Sequence, residues 1–532
     1  AGHLLSFSFL AIVSAMLQER YREQVKCVYI DPPYNKGSDF AYKDSYRHSS
    51  WISSAQDRLS ISSNLLGVNA IQWVSLDDNE AENYNRLLKQ NLIFRESKLI
   101  TAITNLKGTY DADGFVATHE YVICGTVSSL KDVGELPVSE DQLESDWSED
   151  EYGLFKQGDG LKRTGADAPR NKRPNGWFPV FVAENGSVYV TQDDKPTNCK
   201  DVAVYPIDSS GDEMSWSWSK TKISSETHNL ILKGSENSGY SFYKKQRAGL
   251  SGYPTRKAKS FFYKPEYSST HGGNTAKDLF GYRMSEFTPK SVALISDIIL
   301  LSNSEGQLTL DYFAGSATTG HAVINLNRQD KGNRKYILVE QGEYFDTVLK
   351  PRIQKVVYSA DWKDGKATAP ETGISHAFKV LKIESYEDTL NNLQLRRTAQ
   401  QQDLLDTLPQ SAQEDYLLRY LLDIESRDSL LSVEQFHKPF DCTLKVTVDS
   451  AGAYEERSID LVETFNYLIG LRVKHIDMQR EQGFVTVAGW LPTGEKTLVL
   501  WRDMERVDYE ALNRLCDRSE ERRVGKECRS RW

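Results

Sequence analysis

Cysteine is scarce and scattered. The six thiols (Cys27, Cys124, Cys199, Cys442, Cys516 and Cys528) among 532 residues form no Cys-x-x-Cys pair. That excludes a zinc knuckle and a disulfide framework, and it points to a reducing compartment. Net positive charge is missing as well. At −10 the chain has no uniformly basic coat, so any nucleic-acid surface must be a local patch. Residues 4–17 are uncharged and apolar, but no Lys or Arg precedes them and they are too short to span a bilayer. They are expected to form a buried helix, and the protein is expected to be cytoplasmic. Internal repeats, a phosphate-binding Gly-Lys-Ser/Thr loop and a nuclease carboxylate–lysine cluster are all absent. Any cleavage chemistry would therefore belong to a separate chain.

What is present describes a soluble globular protein, with 39% hydrophobic and 26% charged residues. A chain this long exceeds a single core and should hold about two to four domains.

The most informative stretch is Asp31-Pro32-Pro33-Tyr34-Asn35. Val25, Cys27, Val28, Tyr29 and Ile30 read as a buried strand, and the prolines end it. They also stiffen the turn and offer carbonyl acceptors without donors. A carboxylate, rigid acceptors and an aromatic ring suit a planar base with an exocyclic amine. An ordinary strand-ending turn is the plainer alternative.

Around it the pattern is strand–helix–strand. Helical spacing over Trp51–Leu66 is closed by Gly67 as a C′ residue, Ala70–Leu76 is a second strand, and Leu99–Asn105 and Glu120–Cys124 are further strands. This predicts an α/β fold with a parallel sheet. Asp77-Asp78-Asn79-Glu80 could suggest a metal site, but without a nearby His it reads better as capping for a helix over 82–90. Residues 131–151 carry nine acids against one lysine and are expected to be a solvated loop. Between Tyr240 and Lys264, seven basic residues and no acid interleave with aromatics. Cations for phosphate and rings for stacking make this a nucleic-acid surface, or else a solvated basic face over buried rings. Arg170, Lys172, Arg173, Lys244, Lys245, Arg247, Arg256, Lys257 and Lys259 are the candidate DNA contacts. Beyond about residue 385 the composition shifts to a further domain, with an acidic helix over 404–422, a strand over 443–448, a helix over 460–471 and a hairpin over 484–501. The basic, aperiodic segment 519–532 is expected to be foreign to the protein.

The second informative stretch follows the strand Leu308–Asp311. Gly315 and Gly320 bracket a small-residue turn opening a helix, a geometry that lets a nucleotide-type ligand lie over bare backbone. Ala317 spoils a Gly-x-Gly-x-x-Gly match. Glu340 ends the next strand, where an acid can meet ribose hydroxyls. It could equally be a solvated strand-end acid.

Asp-Pro-Pro-Tyr first and Phe313-Ala314-Gly315-Ser316-x-Thr318-Thr319-Gly320 later resemble the permuted amino-methyltransferases acting on DNA, above all the modification (Mod) subunits of type III restriction–modification systems. The resemblance extends through Ser75–Glu80, His119-Glu120-Tyr121, Arg173-Pro174-Asn175, Trp216–Ser219, Tyr267–Thr275 and Pro289-Lys290 to 384–393. It implies a Rossmann-like S-adenosylmethionine-dependent methyltransferase sheet in circularly permuted motif order, with an inserted target-recognition domain and a C-terminal α+β domain. The implied divisions are 1–127 and 275–384 for the methyltransferase, 128–274 for target recognition and 385–518 for protein contacts. Implied catalytic residues are Asp31, Pro32, Pro33 and Tyr34. Asp31 and the Pro32 carbonyl would accept the amine protons, and Tyr34 would stack on the base. Implied cofactor contacts are Asp311, Phe313, Ala314, Gly315, Ser316, Thr318, Glu340 and Lys290. The implied substrate is adenine N6 in double-stranded DNA, with partners in a second copy and a separate restriction subunit. N4-cytosine methylation, RNA or protein methylation, and a catalytically lapsed DNA-binding specificity subunit are the alternatives. The chain departs from the family in lacking a Gly-Asp/Glu-Asn-like strand end around 4–17 and in carrying Ser54-Ala55-Gln56 before Arg58. Both predict an altered N-terminus and weaker cofactor binding.

Overall fold

The computed structural model describes residues 17–36, 46–105, 107–110, 115–248, 253–284, 288–303, 306–383, 388, 392, 407–410, 412, 436–447 and 453–514. The apolar stretch before Leu17, the loop 37–45, most of the predicted helix 404–422, most of 384–393 and the tail from 519 lie outside them. The chain forms two compact units, one of residues 135–258 and the other of residues 1–134 with 259–532.

The larger unit begins with β1 (Val25–Ile30), whose side chains are almost all buried, as a central strand requires. Next come α1 (His48–Ser63), β2 (Leu66–Leu76), α2 (Ala81–Gln90), β3 (Glu96–Ile103) and β4 (His119–Thr126). Gly67 is not a helix C′ residue but lies inside β2. A Cβ there would come within 3.1 Å of the Glu23 carbonyl, so close backbone approach is what calls for glycine.

The smaller unit holds β5 (Glu135–Pro137), α3 (Glu140–Asp146), β6 (Trp147–Asp150), β7 (Gly153–Gly160), β8 (Val180–Val182), β9 (Val188–Tyr189), β10 (Val202–Val204), α4 (Lys220–Ser225), β11 (Leu230–Ser235), β12 (Gly239–Arg247) and β13 (Thr255–Lys257). Its antiparallel sheet, in the order β11-β12-β7-β6, encloses Leu161, Phe178, Trp216, Ile223 and Phe242 with its neighbours. The acidic run 131–151 is therefore not a loop. It supplies β5, α3 and β6, because Asp150 at the end of β6 is held by cations from β12.

The chain then returns to the larger unit with β14 (Phe261–Phe262), α5 (Ser269–Phe280), α6 (Val292–Leu301), β15 (Leu308–Asp311), α7 (Thr318–Asp330), β16 (Lys335–Leu338) and α8 (Lys350–Tyr358). The seven-stranded sheet runs β14-β3-β4-β2-β1-β15-β16. All strands but β4 point the same way, so the sheet is mixed rather than purely parallel. The β3–β4 connection carries only a short two-stranded ribbon among its described residues. Without a crossover helix the chain returns antiparallel. Tyr29, Ile30, Leu65, Ile71, Leu76 and Ile123 are fully or almost fully buried here. Each aliphatic of that size contributes about 2 kcal/mol of hydrophobic stabilisation.

The C-terminal part adds β17 (Thr443–Thr447), β18 (Tyr454–Ser458), α9 (Leu461–Leu468), β19 (Arg472–Gln479), β20 (Phe484–Trp490) and β21 (Lys496–Arg502). Strand β19 has no counterpart in the sequence expectations. Tyr467 of α9 belongs to the same apolar cluster as β1 and β2, and the Arg20 guanidinium lies over its ring at 4.9 Å. In its described residues this part thus joins the sheet unit rather than standing apart. No described helix is long and apolar enough to cross a membrane.

Candidate active site

Strands β1 and β15 are parallel neighbours with Val28 opposite Leu310, and β15 pairs with β16 so that Asp311 faces Leu338. Asp31, Asp311 and Glu340 therefore emerge at the same end of three adjacent strands, the carboxyl end where ligands bind open α/β sheets. Two motifs far apart in sequence meet there.

Around Asp31 the side chains form one tight cluster. The Tyr34 hydroxyl lies 2.9 Å from Asp31 Oδ1 and 3.2 Å from Glu120 Oε2. The Lys290 ammonium donates to Glu120 at 2.6 Å and to the Tyr34 hydroxyl, stands 3.5 Å from Asp31, and lies 4.8 Å from the Tyr34 ring centre. Burial raises the Asp31 carboxyl above its usual range; Lys290 pulls against this and Glu120 adds to it. Burial alone would lower Lys290, but the carboxylates of Asp31 and Glu120 more than offset that and hold it protonated. Burial, then the same two carboxylates, push Tyr34 well up, so its phenol stays neutral. Sequence reasoning missed Glu120. Because β4 is antiparallel, its beginning rather than its end reaches the site, where Tyr121 sits opposite Leu76.

The prolyl turn is braced from outside. Trp51 donates its indole N–H to the Pro33 carbonyl at 2.8 Å, while the Pro32 carbonyl has no donor among the described residues. Asn35 is left-handed at φ 64°, a conformation Asn tolerates. Its amide donates to Glu80 at 2.8 Å and its oxygen accepts from the Tyr46 N–H at 2.6 Å. Fully buried Glu80 also meets His48 at 2.7 Å and accepts from Asn83 at 2.9 Å. The expected side-chain capping of α2 by the acidic quartet is not seen. Glu80 makes no side-chain cap there and instead ties down the chain after Tyr34, as Asp77 does through Lys36 at 3.1 Å.

On the β15 side, buried Asp311 accepts from the Phe313 N–H at 3.0 Å and the Thr319 hydroxyl at 2.5 Å, yet burial still pushes it up to about 7. Gly315 has φ +50°, where a side chain would be strained. Its N–H donates to Glu340 at 2.7 Å, and Glu340 also accepts from the N–H groups of Gln341 and Gly342. Gly320 plays a different part: a Cβ there would meet Ile353 at 2.6 Å and Leu338 at 2.9 Å, so it seats α7 against β16 and α8. The Gly315 amide is thus taken by the Glu340 carboxylate. Ser316 and Thr318 face the buried Arg352 of α8.

Residues 25–350, more than half of the chain, match the DNA methylase family model for N6/N4 methyltransferases. The chain belongs to this DNA methylase family. It is 38% identical over 431 residues to the type III restriction-modification enzyme EcoPI Mod subunit of Escherichia phage P1, covering 70% of this chain and 65% of that protein. It is 29% identical over 324 residues to the type II methyltransferase M.KpnI of Klebsiella pneumoniae, covering 59% of this chain and 74% of that protein. The chain thus spans somewhat under two thirds of the EcoPI Mod subunit. Among solved structures, the M1.HpyAVI–SAM complex aligns at 15% identity with a TM-score of 0.26, covering 62% of this chain and 89% of that one.

In the smaller unit the candidate DNA-contacting cations divide. Lys245 pairs with Asp150 at 2.6 Å, and Arg247 grips the same carboxylate with both terminal nitrogens at 2.6 and 2.9 Å. The hydrogen bond from Arg247, before any other influence, holds Asp150 well below the usual carboxylate range. These two cations are thus held in ion pairs with Asp150 inside the unit. Arg170 pairs with Glu213 at 2.9 Å and lies 4.9 Å over the Trp177 ring, and Lys172 donates to the Ala166 carbonyl at 2.7 Å. Arg173 and Lys257 are exposed, while Lys244 and Arg256 are half-buried on their strands. Lys259 is exposed but belongs to the sheet unit. The aromatics divide too: Phe242 and Phe262 are buried, whereas Tyr253, Phe261 and Tyr263 are exposed.

Proposed function

We propose that this DNA methylase transfers a methyl group from S-adenosylmethionine to the N6 amine of an adenine flipped out of double-stranded DNA. In this reading it is the modification and recognition subunit of a type III restriction–modification system. The observation that carries it is the pairing of β1 with β15, which brings the Asp31–Tyr34 acceptor turn beside the Asp311–Gly315 turn and Glu340. When bound, the cofactor supplies an electrophilic methyl group on a sulfonium, with no phosphate to cradle. The residues present suit it. Glu340 and Asp311 offer acids for ribose hydroxyls, and Phe313 to Gly315 offer bare backbone and a ring.

The rest of the chemistry belongs to the protein. An adenine amine is a poor nucleophile because its lone pair is delocalised into the ring. Two fixed acceptors, the Asp31 carboxylate and the Pro32 carbonyl, draw the amine towards sp³ geometry and free that lone pair. The braced prolyl turn holds them in place before reaction, so alignment carries little further entropic cost. The neutral Tyr34 ring offers a face for the flipped base and offsets part of the few kcal/mol that unstacking costs. Residues 135–258 are the target-recognition unit in this reading. A second copy and a separate restriction subunit are the proposed partners.

The test is incubation with methyl-labelled S-adenosylmethionine and mixed-sequence duplex DNA, followed by nucleoside digestion. Label in N6-methyladenine that disappears with D31A is expected. Label confined to RNA or protein would overturn the reading, and label in N4-methylcytosine would move the target base.

A further inference from the structure

Arg352 is fully buried on α8, yet no carboxylate lies within ion-pair distance of it among the described residues. Its guanidinium donates to the Ser316 carbonyl at 3.2 Å, the Ser316 hydroxyl at 2.9 Å and the Thr318 hydroxyl at 3.1 Å. The remaining neighbour is His321 Nδ1 at 3.3 Å, from an imidazole that burial, then Arg352 and Arg328, hold neutral. A guanidinium stays charged wherever it is placed. Burying one without an anion is costly, and a neutral side chain could have braced the same turn. Arg352 therefore makes the start of α7 positive, adding to the partial charge of the helix N-terminus.

The rest of the pocket has the opposite sign. Asp31 and Glu120 share the cation Lys290, and Glu340 adds another acid. An anionic group entering here is repelled from those strand ends and drawn to the turn that Arg352 supports. We propose that Arg352 is a positioning residue for the methionine carboxylate of the cofactor: through Ser316 and Thr318 it fixes the turn that opens α7, and its charge selects for a ligand bearing that carboxylate. The inference rests on the cofactor being S-adenosylmethionine. Arg58, whose guanidinium lies 5.3 Å from the Phe313 ring centre, is the competing cation.

Calorimetry with the full chain tests this without turnover, using S-adenosylmethionine and its decarboxylated form as the two probes. The wild type is expected to prefer the carboxylate-bearing probe by about tenfold or more. R352Q, checked for folding by its melting temperature, should bring that ratio close to one while changing affinity for the decarboxylated probe by less than about threefold. S316A is a gentler second variant that removes one of the contacts transmitting the effect, and it should lower the ratio in part. An unchanged ratio in folded R352Q or in S316A overturns the proposal, as does loss of preference in R58M with retention in R352Q. A wild type that binds both probes equally overturns it without any variant. A wild type that binds neither instead counts against the methylase reading.

Discussion

The indole of Trp51 donates to the Pro33 carbonyl at 2.8 Å, so the second carbonyl of the prolyl turn is occupied, while that of Pro32 has no donor among the described residues. One hydrogen bond thereby separates two chemically equivalent acceptors, one structural and the other, in the proposed reaction, left for a substrate amine. Replacing Trp51 with Phe keeps most of the buried ring and removes the donor. Stability should fall by about 1–2 kcal/mol, the usual cost of leaving a buried carbonyl unpaired. Methylation under single-turnover conditions should slow more than cofactor affinity changes. A W51F protein of lower stability but unaltered single-turnover rate would show that the brace does not matter for chemistry.

In the proposed reaction Asp31 must be ionised to draw on the amine, and burial raises its pKa. Activity should therefore be lost as pH falls, starting at a higher pH than an ordinary carboxylate would give. D31N should abolish this acidic limb and lower the rate about 100-fold or more, the scale seen when a placed polar group is removed from a transition state. Rate–pH profiles of the two proteins at saturating cofactor decide it. An acidic limb that persists in D31N assigns the titration elsewhere.

Asp311 offers a stability test of the same physics. Its carboxyl is pushed up to about 7 in the fold by burial, against about 3.9 in an unfolded chain. A raised folded value means that protonation favours the native state. The contribution is full below about pH 4 and is lost as pH rises through about 7. D311N stays neutral throughout, so its urea midpoint should improve relative to wild type on going from pH 5 to pH 8. Parallel pH dependences for the two proteins would refute the assignment.

The two kinds of cation in the smaller unit should separate by salt. Arg247 grips Asp150 and touches Asn229, so R247A should lower the melting temperature of this unit. Lys257 is exposed. K257A should leave melting unchanged, weaken DNA binding for all sequences alike and reduce the salt slope by about one. If K257A and R247A behave identically in both measurements, the division drawn between structural and DNA-facing cations fails.

Much of the site was legible before any coordinates. Strand β1, its prolyl stop, the glycine turn after β15 and Glu340 are local patterns, set by β-branched runs, by proline chemistry and by glycine's freedom at φ +50°. Local patterns cannot say which strands become neighbours. The antiparallel course of β4 returns the chain directly beside β3, and that course delivers Glu120 to Lys290. Which basic residues face outward depends on pairing at a distance, as Asp150 draws in Lys245 and Arg247 from nearly a hundred positions away. The same holds for Arg352, which in sequence is one basic residue of an amphipathic helix and in the fold is a buried cation beneath the turn of α7. The sequence by itself determined the chemistry available to this protein, because residue type and local spacing fix what each turn can offer. Tertiary structure decided which charges meet, because burial and pairing depend on strand order and helix packing, and short-range patterns do not encode either.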